Sequence, residues 1–451
     1  MNILKKFRKT TMFTVKALIV ATITFMFIFT WQNFYTESLF SRNGNYIVVA
    51  SFLFIFMTFI RLYGGLRIGV LRLHELWYSL GIAIVFANFL IYLELSLIVR
   101  DMLSPVPIII CSIVQILVAG VEAYCANSIY FSVYSSRHIL AIYNGDEQGR
   151  AIIRKMSRIP ERYVIEKAIS IKTHDMDQIK AEIDNYKAIL ICDFEQGLKD
   201  KIFHYCYEKR KRIYVLPSSN DIILSNAHQS QVFDTPILMC RNYGLTMEQL
   251  VIKRTMDIVV SLVMLICASP IMLVTALAIK LNDGGPVLFK QNRITRNGAI
   301  FNVLKFRSMI VDADKEGAKG ASNNDSRITR VGKIIRACRV DELPQLINVL
   351  RGDMSLVGPR PERTENVYTY AEELPEFNLR HRVKGGLTGY AQIYGKYNTS
   401  PEDKLNMDLI YIENYSILLD IKLLFMTFKI LFMKESTEGF EETETKGNDE
   451  E

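Results

Sequence analysis

The sequence predicts three parts: a membrane α-helical bundle, an α/β domain built on a parallel sheet, and an α+β domain entered through a re-entrant helix, one that dips into the membrane and returns. Three observations carry this. Four uncharged apolar stretches fill the first quarter of the 451 residues. Strand-like and helix-like patterns then alternate from His138 onward. A fifth apolar run, Ile258 to Ile279, has cations at both ends.

Composition sets the frame. Half of the residues are hydrophobic and mean hydropathy is +0.14, too apolar for an ordinary soluble domain. A wholly disordered chain, a collagen-like fibre and a disulfide-stapled secreted module are excluded. Lys and Arg number 54 against 47 Asp and Glu, a net +7. Residues 435–451 hold eight acids and one lysine, which leaves +14 on everything before them. That balance points to membrane lipid rather than nucleic acid once the apolar runs are counted in. The seven cysteines form no CxxC pair, so free thiols in a reducing compartment are expected and a zinc site is not.

The four stretches Ala17–Trp31, Asn43–Ile60, Leu76–Leu93 and Met102–Val121 each approach the roughly 20 residues a helix needs to cross the hydrocarbon layer. Lys16 can snorkel, and Glu94 near an interface lets the third helix run on to Val99. Lys5, Lys6, Arg8 and Lys9 precede the first stretch, and Arg61, Arg67 and Arg72 follow the second; Arg42 and Arg100 mark the other loops. The positive-inside rule therefore puts the N-terminus in the cytoplasm and returns the chain there after Tyr124. The expected bundle covers 1–125, in a plasma membrane.

In the fifth run, Lys253 and Arg254 on one side and Lys280 on the other give both ends a cytoplasmic character. Ser269-Pro270 sits at its middle. Proline removes a backbone donor, and a serine hydroxyl can satisfy the carbonyl so freed. A helix–break–helix over 257–280, entering and leaving on one face, fits both observations and keeps all later residues cytoplasmic.

Between them, 126–250 reads as a soluble domain. Ile139–Tyr143, Ala188–Cys192 and Arg212–Leu216 read as strands and Gly149–Met156 as a helix, the alternation of a Rossmann-like parallel sheet. The first turn, Asn144-Gly145-Asp146-Glu147-Gln148-Gly149, matches only two glycines of a dinucleotide fingerprint, and its acids repel phosphate. A degenerate module without bound nucleotide is expected.

After Lys280, Val287–Gln291 and Ile300–Phe306 read as strands joined at Asn297-Gly298, a strong hairpin signal. They present Lys290, Arg293, Lys305 and Arg307, followed by Arg327, Arg330, Lys333, Arg336 and Arg339 at three-residue steps. So many cations beside a membrane suit a polyanionic substrate or anionic lipid. In Arg339-Val340-Asp341-Glu342-Leu343-Pro344-Gln345-Leu346, proline suits the first turn of a helix, which sets Asp341 and Glu342 at its positive end. One carboxylate would attack while the other holds a metal; simple N-terminal capping is the alternative. Gly358-Pro359-Arg360-Pro361 fixes an arginine between two prolines, where its planar cation suits phosphate. Gly385–Tyr390 and Gly395-Lys396-Tyr397 suit close backbone packing or a nucleotide.

Lys305-Phe306-Arg307-Ser308-Met309, Asp341–Gln345, Val357-Gly358-Pro359-Arg360-Pro361 and Leu387-Thr388-Gly389, in this order, resemble the bacterial sugar transferase family, the monotopic polyprenyl-phosphate phosphoglycosyl transferases. The resemblance covers Val251 to Lys434, including Ser269-Pro270. The whole chain is similar to the long form, which places four transmembrane helices and a Rossmann-like domain before an α+β catalytic domain (here 251–434). It departs at Gly385 and Tyr390, where the family often has proline and tryptophan.

The resemblance implies that an aspartate attacks a UDP-sugar, UMP leaves, and undecaprenyl phosphate then takes the sugar phosphate, the first step of capsule or exopolysaccharide synthesis. It implies Asp341 as nucleophile, Glu342 as the Mg²⁺ ligand and catalytic partner, and Lys305, Arg307, Arg336, Arg360 and Pro361 as substrate-binding residues. A homodimer and a hexose such as glucose or galactose are further implications. The rival readings are a catalytically inactive scaffold or nucleotide sensor, and an oxidoreductase using the Rossmann-like module. Ile417–Lys434 reads as an interfacial amphipathic helix, and 435–451 as a disordered acidic tail.

Overall fold

The structure is a computed structural model and describes residues 7–35, 44–192, 194–240, 244–311, 325, 327–395 and 399–431. The acidic segment 435–451 lies outside these residues, as do Lys5, Lys6, Arg42, Lys396 and Tyr397. The chain folds as two compact units, Met1–Pro217 and Ser218–Glu451.

The first unit opens with four long helices: α1 (Arg8–Phe34), α2 (Gly44–Tyr63), α3 (Leu73–Val99) and α4 (Val106–Val133). All four are long and apolar enough to cross a membrane, and each extends beyond the uncharged stretch that foretold it. Their contacts combine stacked rings and buried amides. Phe27 of α1 stacks on Phe52 of α2 with centroids 4.0 Å apart. Asn88 of α3 donates to Gln115 Oε1 of α4 (2.7 Å), and Gln115 Nε2 donates to the Ile23 carbonyl of α1 (3.0 Å). Amides satisfied this way hold helices together where lipid gives no hydrophobic drive between them. Phe25, Phe54, Phe89 and Leu117 point outward and remain exposed.

A parallel sheet follows: β1 (Arg137–Tyr143), α5 (Glu147–Ser157), β2 (Tyr163–Ser170), α6 (Met176–Asn185), β3 (Ala188–Ile191), α7 (Gln196–Glu208) and β4 (Arg212–Val215). Strand order is β2-β1-β3-β4, and all pairs are parallel. Both faces are covered, by Ile179, Ile183 and Ile202 on one side and Ile152, Ile153 and Met156 on the other. Strand β2 was not foreseen, because Glu166 and Lys167 break its apolar pattern. In the turn after β1, the Asp146 side chain accepts the Gly149 N–H at 2.9 Å and caps α5. A carboxylate thus occupies the helix terminus that a pyrophosphate would need.

The second unit contains α8 (Ser219–Ser225), the hairpin β5 (His228–Val232) and β6 (Thr235–Met239), and α9 (Met247–Asp283). Helix α9 runs through Pro270 without interruption. The Ser269 hydroxyl donates to the Ile266 carbonyl at 2.8 Å, the acceptor that proline leaves without an amide. Val259, Leu262, Val263, Ile266, Leu273 and Val274 are exposed, and α9 is the fifth helix long and apolar enough to cross a membrane. An apolar surface of this extent requires lipid or a partner.

The rest of the unit comprises β7 (Leu288–Ile294), β8 (Ile300–Phe306), α10 (Arg330–Ala337), α11 (Gln345–Arg351), β9 (Ser355–Val357), α12 (Thr364–Glu373), β10 (Gly386–Thr388), α13 (Tyr390–Tyr394), α14 (Pro401–Glu413) and α15 (Ile417–Leu431); Phe306 of β8 and Ile335 of α10 pack on Ile279 near the end of α9. Asn297 and Gly298 both take positive φ between β7 and β8, as their sequence foretold. Asp257 of α9 accepts the Ser355 hydroxyl and the Leu356 amide of β9, each at 3.0 Å. Lys253 of α9 is buried against Asp420 of α15, and Tyr411 of α14 donates to Asp420 Oδ1 at 2.8 Å. On α15, Asp420 and Lys429 are buried while Leu418, Ile421 and Phe428 are exposed. The helix is amphipathic with its charges turned inward, the reverse of a water-facing helix.

Candidate active site

The two adjacent carboxylates do not lie within α11 but on a separate 3₁₀ turn, Val340–Glu342, just before it. Arg339 enters that turn with φ 54° and ψ 21°, a left-handed conformation that costs a non-glycine residue of the order of 1–2 kcal/mol. Pro344 then takes helical angles and α11 begins at Gln345. Asn348 of α11 fixes this helix to the β-hairpin: its Oδ1 accepts the Leu304 amide (2.9 Å) and its Nδ2 donates to the Asn302 carbonyl (2.9 Å). The carboxylates are thereby set against Lys305 of β8.

Lys305 Nζ and Arg360 Nη2 converge on one oxygen, Glu342 Oε1, each at 2.9 Å. Burial alone would raise the Glu342 carboxyl, but the charges of Lys305 and Arg360 outweigh it and hold the group well below the usual range. Asp341 moves the other way. Burial and the neighbouring Glu342 charge raise it, against Lys305, Arg336 and Arg360. The two carboxylates are therefore unlike: Glu342 is a fixed anion, while Asp341 has no hydrogen-bond partner among the described residues. Burial lowers Lys305, with Glu342 opposing that shift.

Arg360 stands on a loop whose carbonyls are taken one after another. Pro359 O accepts the Gly386 amide (2.8 Å), and Arg360 O accepts Arg380 Nη2 (2.9 Å). Pro361 O accepts Arg293 Nη1 (2.9 Å) and Glu362 O the Ile294 amide (3.2 Å). Arg380 is itself buried beside Asp408 at 2.7 Å. Gly386 lies so close that a Cβ there would meet Gly358 N at 2.1 Å. The loop is a rigid mount for one guanidinium.

Of the expected site residues, Asp341, Glu342, Lys305 and Arg360 come together. Pro361 shares with Lys305 and Arg360 the lining of a small pocket, and Arg336 on α10 is near enough to lower Asp341. Arg307 is not part of this group; it is buried and paired with Asp283 at the end of α9. Sequence reading passed over the roles of Arg293, Gln345 and Arg380. Strand parity held the clue to the first, since Arg293 and Lys305 face one side of the hairpin while Lys290 is exposed.

Among the described residues no cluster of three or more Asp, Glu, His or Cys exists to cage a metal. Mg²⁺, however, needs only one or two carboxylates when phosphates supply the remaining oxygens. The fixed anion Glu342 keeps Oε2 without a hydrogen bond among the described residues, and Asp341 adjoins it. These residues fit that ion.

Residues 248–434, which contain every residue of this cluster, match the bacterial sugar transferase family. Three relatives show the range. The chain is 44% identical over 183 residues to the UDP-N-acetylgalactosamine-undecaprenyl-phosphate N-acetylgalactosaminephosphotransferase of Aeromonas hydrophila (40% of this chain, 43% of that protein). It is 34% identical over 317 residues to the undecaprenyl-phosphate glucose phosphotransferase of Komagataeibacter xylinus (65% and 59%). It is 44% identical over 189 residues to an exopolysaccharide production protein of Rhizobium leguminosarum bv. phaseoli (40% and 94%). The matched segment spans about half the length of the first two, but nearly all of the third. With the motifs, the clustered carboxylates and cations, and near-complete coverage of a relative at this identity, the chain belongs to the bacterial sugar transferase family.

Proposed function

We propose that the protein transfers a sugar 1-phosphate from a UDP-sugar to undecaprenyl phosphate in two steps at Asp341, at the cytoplasmic face of a bacterial plasma membrane. The observation that carries the proposal is the asymmetry of the carboxylates: Lys305 and Arg360 clamp Glu342, leaving the adjoining Asp341 carboxylate unbonded. The relatives' names support the reaction class.

In the first step an Asp341 oxygen attacks the phosphorus that carries the sugar. The bond from that phosphorus to the UMP oxygen breaks, and UMP leaves with the electron pair. In the second step an oxygen of undecaprenyl phosphate attacks the same phosphorus, and the bond to Asp341 breaks to restore the carboxylate. Covalent catalysis thus divides one transfer into two. Attack of an anion on a diphosphate is repulsive, and Lys305, Arg336 and Arg360 offset that repulsion. Mg²⁺ held by Glu342, with Asp341 beside it, would supply further neutralisation of the phosphates. The raised Asp341 makes the first step fall off on the acid side at a pH above the ordinary aspartate value, where the carboxylate gains its proton.

The membrane reading follows the same reasoning. Cations at both ends of α9 support a re-entrant helix that keeps the site at the cytoplasmic headgroup layer, where a soluble nucleotide and a lipid phosphate meet. The inward charges and outward Leu418, Ile421 and Phe428 of α15 support contact with the same layer. The sheet of the first unit supports a Rossmann-like module in which Asp146 replaces a ligand phosphate.

Purified protein given Mg²⁺, undecaprenyl phosphate and a panel of UDP-glucose, UDP-galactose and UDP-N-acetylgalactosamine should release UMP. With the nucleotide sugar alone, intact-mass spectrometry should show one added sugar phosphate, absent in Asp341→Ala. Turnover at the wild-type rate by Asp341→Asn would remove the nucleophile assignment.

A further inference from the structure

Beside the carboxylates lies a small pocket lined by Arg293, Lys305, Arg360, Gln345, Val303 and Gly386. It offers about 10 Å³ to the centre of a water-sized group, room for a single oxygen atom. Three of its walls are cationic and none is a carboxylate. Two buried donors on its lining residues have no partner among the described residues: Gln345 Nε2, on a residue only 5% exposed, and Arg293 Nε. The other nitrogens of Arg293 are used, Nη1 on the Pro361 carbonyl and Nη2 on Gln291 Oε1 (2.6 Å). That bracing fixes where Nε points. Gln345 is equally fixed, because Asn348 ties α11 to β8 one turn further on. Leaving a buried N–H unsatisfied is unfavourable, and native folds rarely do so without a reason.

We infer that this pocket is an oxyanion site in which Gln345 Nε2 and Arg293 Nε donate to one phosphoryl oxygen of a substrate, with Lys305 and Arg360 supplying charge around it. The inference rests on the proposed reaction and adds two binding residues to it. Size selects an oxygen rather than a whole phosphate, so the remainder of the group lies outside, towards Asp341. The same chemistry serves the phosphate of the nucleotide sugar or that of the lipid acceptor.

Gln345→Met tests it, because methionine keeps the length and apolar stem of the side chain and removes only the donor. Its melting temperature should equal or exceed that of wild type, since an unpartnered buried donor is lost. Formation of the sugar-phosphate adduct should slow on the order of 100-fold, the usual effect of removing one such donor, and calorimetric affinity for UDP should weaken about tenfold. Arg293→Lys retains the cation but loses Nε together with the Nη1 and Nη2 bonds to Pro361 and Gln291, so it should slow adduct formation at least as much and lower the melting temperature as well.

A variant that forms the adduct normally but passes it slowly to undecaprenyl phosphate assigns the oxygen to the acceptor. If wild type gains no adduct while both variants weaken UDP binding, the two-step reaction fails and the oxyanion site stands. Wild-type adduct formation, transfer and UDP affinity in Gln345→Met reduce the pocket to the seat of a structural water and overturn the inference.

Discussion

Replacing Gly386 by alanine tests whether the mount of Arg360 is as rigid as its hydrogen bonds imply. A Cβ at this position would stand 2.1 Å from the Gly358 nitrogen and 2.5 Å from the Thr388 carbonyl oxygen, both backbone atoms. Ordinary contact begins near 3.4 Å, so one strand must retreat from the other by about 1.3 Å. Overpacking of this kind costs about 1–3 kcal/mol. For a unit of this size that lowers the melting temperature by roughly 2–12 °C. The displacement passes directly to Arg360, two residues beyond Gly358, and a misplacement near 1 Å costs about 100-fold in rate. The assay is the rate of sugar-phosphate adduct formation by mass spectrometry, with thermal unfolding in the same detergent. Gly197→Ala is the control, since nothing lies within 4 Å of its Cβ. Adduct formation within threefold of wild type, with an unchanged melting temperature, would refute the rigid-mount reasoning.

Lys253→Met leaves Asp420 buried without its cation and should cost about 3–5 kcal/mol, read as thermal unfolding in detergent; Lys253→Met/Asp420→Leu should recover most of it, and a double variant no better than the single would contradict the pairing. His381 is held down to about 4 by burial and by Arg380. The folded state then binds fewer protons than the unfolded state between pH 4 and about 6.5, so its contribution is complete above 6.5 and disappears as pH falls towards 4. Melting curves between pH 7 and 4.5 should show this slope, and it should flatten in His381→Phe. For α9, single cysteines at the exposed positions 251 and 280 in an otherwise cysteine-free chain should both resist an impermeant thiol reagent added outside cells. Labelling at position 280 alone would make α9 a crossing helix and move the site to the opposite face.

How much of this could be read from residues alone follows from the range of the interactions. The membrane helices were plain because the oil layer imposes length and apolarity on a continuous segment; only their ends were missed, where Arg8 and Arg61 mark chain that continues helical into polar surroundings. Ser269-Pro270 was read as a break, and the same two residues turn out to compensate each other within an unbroken helix. Asp341, Glu342, Lys305 and Arg360 were found through local motif chemistry. Arg307 belongs to the same Lys305-Phe306-Arg307 motif, yet β8 ends at Phe306 and Arg307, just beyond it, pairs with Asp283, a partner 24 residues distant. Arg380 was invisible because it acts on the Arg360 carbonyl, and a backbone acceptor leaves no mark in the sequence of the residue that reaches it. Asp420 suggested a wet face on α15 until Lys253, 167 residues away, proved to be its partner.

The successive carbonyl bonds on the Arg360 loop also set a timetable for synthesis. Their donors come from Arg293, 68 residues before the Pro361 it holds, from Arg380, 20 residues after the Arg360 carbonyl it takes, and from the Gly386 amide on Pro359. A nascent chain that has just produced Arg360 already holds Arg293 but lacks the two later donors. The mount of this guanidinium can close only after Gly386 has left the ribosome.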